Sequence, residues 1–119
     1  MIESYNSEPI ADLVLSYEAL SLEWDAAQSD AKKANKLFDR IHLIALVLRQ
    51  TEEGHLGLES LLKHENRGVR MKAAGEALAW DSEPAIAALE ELSSPRGRHT
   101  LSAETTLREY RAGRMRFDW

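Results

Sequence analysis
The 119-residue sequence contains no cysteine, which excludes disulfide frameworks, thiolate zinc sites and cysteine nucleophiles together and fits a reducing compartment. No apolar run is long enough to cross a bilayer, and the opening, MIESYNSEPI, lacks the basic and then apolar segments of a secretory signal. A cytosolic protein without a membrane segment is expected. Nowhere does a run of β-branched residues alternate with polar ones, so no strand is predicted and the fold class is all-α. With 44% hydrophobic and 29% charged residues, residues 1–119 suit a single domain with one modest core.

The usual constellations of catalysis are missing too. The four histidines, His42, His55, His64 and His99, are scattered, and no pair has the His-x-x-x-His spacing that puts two ligands on one helical face. No nucleophile stands beside a base, and Gly54 and Gly57 lie at a helix junction without the strand-turn-helix context of a phosphate loop. Glu52, Glu53 and His55 cluster at a helix boundary, where capping and solvation account for them more simply than a metal does. The sequence therefore predicts no enzyme, no metal and no cofactor.

Helical periodicity, by contrast, runs through nearly the whole chain. From Glu8 to Gln28, Ile10, Leu13, Tyr17, Leu20 and Trp24 recur at spacings of three and four, with Ser7 as the expected cap and Pro9 in the first turn. A second stripe, Ala34, Leu37, Phe38, Ile41, Ile44, Ala45 and Leu48, spans about Asp30 to Thr51 and is the hydrophobic centre. Glu53 and Gly54 break the pattern, and a short helix is expected over about His55 to Lys63. Asn66 is placed to cap a helix running to about Trp80, and Ser82-Glu83-Pro84 repeats the opening signal of Ser7-Glu8-Pro9. After the loop SSPRGRH, residues 93–99, a last helix should span about Leu101 to Arg111 and stop at Gly113.

On a helical wheel of about 100° per residue, Val69, Arg70, Met71, Ala73, Ala74, Ala77 and Leu78 share one broad side. Arg70 lies near its middle, so its guanidinium must be paired, with Glu65 or Asn66 as nearest suppliers, or must reach the edge. The alanines allow a neighbouring helix to lie close. This stretch, ENRGVRMKAAGEAL, resembles the second helix of a HEAT-type repeat. Weaker copies flank it: Ala45 and Leu48 upstream, and Ala103 and Leu107, 29 residues beyond Ala74 and Leu78.

Over most of its length, through NKLFDRIHLIALVLR (35–49), LESLLKHENRGVRMKAAGEAL (58–78) and AETTLREYRAG (103–113), the chain resembles a small bacterial family catalogued as a domain of unknown function, number two thousand and nineteen. It departs from such repeats at Glu65 and Arg67, where their turns often carry proline. The resemblance implies a compact HEAT-like stack of about five to six antiparallel helices. It implies no established activity and carries over no catalytic residue.

Charge and a second apolar stripe bear on function. Residues 1–30 hold seven acids and no lysine or arginine, whereas residues 94–119 hold six arginines against three acids, within a formal charge of −5. Opposite the core stripe of the first helix, Leu15, Ala19, Leu22 and Ala26 recur at helical spacing, bordered by Asp12 and Glu23 on one side and Glu18 and Asp25 on the other. Either the tail or residues 1–6 cover this strip, or it binds a partner. A non-catalytic protein-binding module is therefore expected, with Asp12, Leu15, Glu18, Leu22, Glu23 and Asp25 as its binding residues. Its partner would be a basic protein such as a toxin, which it would neutralise in the manner of an immunity protein, or else an adaptor's client or a second copy of the chain. The alternative is a nucleic-acid binder that uses Arg96, Arg98, Arg108, Arg111, Arg114 and Arg116 with Tyr110, Phe117 and Trp119 for stacking. The acidic chain opposes it, and Trp119 reads more simply as an anchor that returns the tail to the helices.

Overall fold
Four side chains, Asp30, Thr51, Asn66 and Ser82, each accept the backbone N–H three residues on, at 3.1, 3.0, 3.0 and 3.3 Å. They satisfy donors that a helix start leaves open, and four helices begin at them. The computed structural model describes residue 5 and residues 7–94 and 96–117. It contains α1 (Ile10–Ala26), α2 (Ala31–Leu48), α3 (Glu52–Glu59), α4 (Arg67–Ala77) continuing into a 3-10 turn (Leu78–Trp80), α5 (Glu83–Leu92) and α6 (Thr100–Arg111). No strand occurs among the described residues, and the fold is all-α as expected. Asn66 and Ser82 are the caps that the sequence indicates, and Gly113, at φ 72°, follows the last helix.

Two boundaries differ from expectation. Ser7 does not cap α1: Pro9, with ψ 143°, is itself the N-cap residue, so Ser7 lies too far back to reach the first open N–H groups. Ser82 caps because its proline sits two residues deeper inside the helix. Glu53 and Gly54 also do not break the pattern, since Thr51 starts α3 at Glu52 and the helix ends at Glu59, short of Lys63. Gly54 has a packing role instead: a Cβ there would overlap the carbonyl of Leu48 where α3 crosses the end of α2.

α1 packs on α2, α3 and α4, while α4 packs on α5 and α5 on α6. The core is a single cluster. It takes Leu13, Tyr17 and Leu20 from α1, Leu37, Ile41, Ile44 and Leu48 from α2, and Ala73, Ala74 and Ala77 from α4. The three small-and-large pairs, Ala45 with Leu48, Ala74 with Leu78 and Ala103 with Leu107, are all buried. Ser21 is buried among them with no hydrogen-bond partner for its hydroxyl among the described residues. None of the described helices is long and apolar enough to cross a membrane.

Arg70 is half-buried and takes the edge route: its guanidinium makes no hydrogen bond or ion pair to Glu65 or Asn66. Asn66 instead caps α4 and donates to Asp25 at 3.3 Å. The arginine that ties the layers together is Arg67. Its guanidinium donates to the carbonyls of Leu92 (2.9 Å) and Arg98 (2.8 Å) and to Thr100 Oγ1 (3.2 Å), joining α4 to the end of α5 and the start of α6.

Candidate functional site
The second stripe of α1 faces outward. Leu15 is 62% exposed and Leu22 39%, and Ala19 and Ala26 are exposed between and beyond them. Residues 1–4 and 6, one candidate cover, and Trp119, the expected tail anchor, lie outside the described residues. The acidic border divides in two. Asp12 and Glu23 are exposed and carry no ion pair among the described residues. Glu18 and Asp25 are instead engaged within the chain.

Glu18 accepts from His64 Nε2 at 2.8 Å; Nδ1 of the same ring accepts the backbone N–H of Asn66 at 3.0 Å, which leaves the proton on Nε2. Asp25 takes His99 Nε2 at 2.6 Å, Asn66 Nδ2 at 3.3 Å and Arg98 Nε at 3.3 Å. Burial pushes the Asp25 carboxyl up, but the hydrogen bonds from His99 and Asn66 and the charges of Arg98 and His99 outweigh it and hold it below the usual range. These two carboxylates therefore fasten α1 to the α3–α4 turn and to the start of α6.

The C-terminal arginines are also largely engaged. Arg98 pairs with Asp25, Arg111 with Glu90 at 2.6 Å, and Arg114 grips Glu109 through two bonds of 2.9 and 2.7 Å. Tyr110 donates to Asp81, and both Tyr110 and Phe117 are partly buried against the core. Of the residues weighed for a metal, Glu52 and Glu53 occupy the first turn of α3, while His55 stacks on Trp80 at 3.9 Å and donates to the carbonyl of Arg49. No group of metal-holding side chains occurs among the described residues.

A second site lies on the inner side of α1. A pocket of about 250 Å³ opens between α1, α2, α4 and α6, with Met115 and Phe117 forming part of its wall. Lys72 projects from α4 into it, Nζ 3.9 Å from the centroid of the Phe38 ring and 4.7 Å from that of Trp24. Such contacts contribute about 0.5–2 kcal/mol each and offset part of the cost of burying the ammonium. Burial lowers the Lys72 pKa to about 8, with Glu76 opposing the shift. One turn on, Glu76 pairs with Arg49, whose Nη1 donates to the carbonyl of Phe117 at 3.0 Å. Tyr17 donates to the carbonyl of Lys72 at 2.9 Å, and its hydroxyl is held well above its usual pKa by burial and by Glu76, against Arg49. Between Lys72 and Glu76, Gly75 leaves space that a Cβ could enter without meeting anything within 4 Å.

Reasoning from sequence missed this site. Phe38 reads as core, yet it is half-buried and turned to the lysine. The available signal was Lys72-x-x-Gly75-Glu76, which places two charges and a missing side chain on one helical face.

The chain is similar to the protein RPA1889 from Rhodopseudomonas palustris CGA009, known from a crystal structure, with a TM-score of 0.84, 26% identity, and coverage of 95% of this chain and 97% of that one. No protein-family model matches the chain, and neither does any curated protein.

Proposed function
We propose that the protein is a non-catalytic interaction module, a HEAT-like helical stack of the bacterial family it resembles, working in the cytosol and binding a basic protein partner on the outer face of α1. The observation that carries this reading is the exposure of Leu15 and Leu22 beside Asp12 and Glu23, which carry no ion pair among the described residues. Together the two leucines expose about as much surface as one whole leucine side chain, so covering them contributes about 1.5–3 kcal/mol, roughly 10- to 100-fold in affinity. The carboxylates add steering toward a basic surface and discrimination against acidic ones. Neutralisation of a basic toxin and service as an adaptor both fit this chemistry. The intramolecular pairing of Arg98, Arg111 and Arg114 counts against the nucleic-acid alternative, because phosphate binding needs uncompensated charge.

The test is capture from the native host with tagged wild type, Leu22→Glu, and the pair Asp12→Lys with Glu23→Lys, after circular dichroism has shown all three to be folded. A basic protein held by wild type and lost by both variants supports the reading. Capture of the chain alone makes α1 a self-association face, and equal capture by all three forms refutes the assignment.

A further inference from the structure
The inner pocket differs in chemistry from the outer strip and stands whether or not α1 binds a protein. Lys72 Nζ has three donors and makes no hydrogen bond or ion pair among the described residues. The faces of Phe38 and Trp24 balance its charge in part, but they accept no conventional hydrogen bond. Of the other charges lining the pocket, Glu76 is held by Arg49, which also serves the Phe117 carbonyl, and Arg116 is exposed at the rim. The recess therefore has one buried ammonium without a hydrogen-bond or ion-pair partner among the described residues, set against aromatic and aliphatic walls.

We propose that this pocket binds a small monocarboxylate with an aromatic or branched apolar body, its carboxylate on Lys72 Nζ and its body against Phe38, Trp24 and Met115. Size supports this class. About 250 Å³ lies between the ~150 Å³ cavity that takes benzene and the ~300 Å³ lower bound of sites for drug-sized ligands, so one ring or branched chain with a short acid arm fits. Charge selects among ligands. A single ammonium suits one negative charge, whereas a phosphate dianion calls for a guanidinium fork or a cradle of backbone N–H groups. A cationic ligand would meet the like charge of the Lys72 ammonium, already set beside both rings. Gly75 keeps the recess open, since any side chain there would enter it. The low pKa of Lys72 follows from the same desolvation, which a bound carboxylate would relieve.

The experiment titrates phenylacetate, 3-phenylpropionate, indole-3-acetate and 4-methylpentanoate into the full chain by calorimetry and amide NMR at pH 7, each beside its neutral amide. At least one acid should saturate below about 10 mM, bind at least tenfold more tightly than its amide, and shift the amide signals of residues 71–76. Lys72→Met and Gly75→Leu should each weaken it at least tenfold while keeping the helical spectrum, and Leu22→Glu should leave it unchanged. Saturation by none of the acids, equal binding of acid and amide, or shifts confined to the outer face of α1 would overturn the proposal. Should one pocket variant fail to fold, the other and the wild-type shift map still decide it.

Discussion
Arg67 Nη2 donates to the carbonyl oxygen of Leu92 at 2.9 Å, joining the first turn of α4 to the last turn of α5. Carbonyls in a last helical turn have no partner within their own helix, so the guanidinium answers a need that the local chain cannot. Arg67→Ala removes three hydrogen bonds from a charged donor and leaves acceptors open. It should cost about 2–4 kcal/mol, whereas Arg70→Ala should cost less than about 1 kcal/mol, since the Arg70 guanidinium makes no hydrogen bond or ion pair among the described residues. Urea unfolding of the two variants measures both, and a larger loss at Arg70 would reverse the assignment.

Adjacent residues of α4 should respond with opposite signs. Ala74 is fully buried, and Ala74→Leu overpacks the layer at a cost of about 1–3 kcal/mol. Gly75 faces open space, and Gly75→Ala should add about 0.5–1 kcal/mol by removing the entropy that glycine loses in a helix. Melting temperatures of the two variants should move apart around the wild-type value.

Ser21→Ala should stabilise the protein by about 0.5–2 kcal/mol. The hydroxyl is buried without a partner among the described residues, and alanine removes that penalty while improving helix propensity. A destabilised variant would show that the hydroxyl has an acceptor after all.

Lys72 gives stability a particular pH dependence. Its folded pKa of about 8 lies below the ordinary 10.5, so the unfolded chain binds more protons between those values and stability rises as pH climbs through them. Between pH 7 and pH 9.5 the gain is about 2 kcal/mol. Tyr17, whose pKa is raised well above 10.0 in the fold, works the other way and erodes stability above pH 10. Urea midpoints should climb to about pH 9.5 in wild type, and Lys72→Met should abolish the climb.

The elements that rest on neighbours in the chain were legible from sequence. Asn66 and Ser82 lie three residues from the N–H groups they accept, and the paired Ala and Leu positions read as apolar stripes are buried. Geometry that depends on distant segments was not. A helical wheel places Arg70 on the packed side of α4, but it cannot show that the open carbonyls lie one turn back, at Arg67. The border acids of α1 illustrate the same limit, since nothing near Asp25 in the chain announces His99. The pocket needed Trp24, Phe38 and Lys72 from three helices, and no local pattern joins them.

Arg49 has a kinetic consequence as well as a structural one. It fixes Glu76 on the floor of the pocket and the carbonyl of Phe117 at its wall, so part of the enclosure is a stretch of non-helical chain, 114–117. Such a segment swings on the nanosecond to microsecond scale, far faster than a packed helix unfolds. Opening of this wall would break the Arg49–Phe117 contact together with the Arg114–Glu109 pair and the packing of Met115 and Phe117, so the residence time of any occupant depends on all of these ties, Arg49 among them.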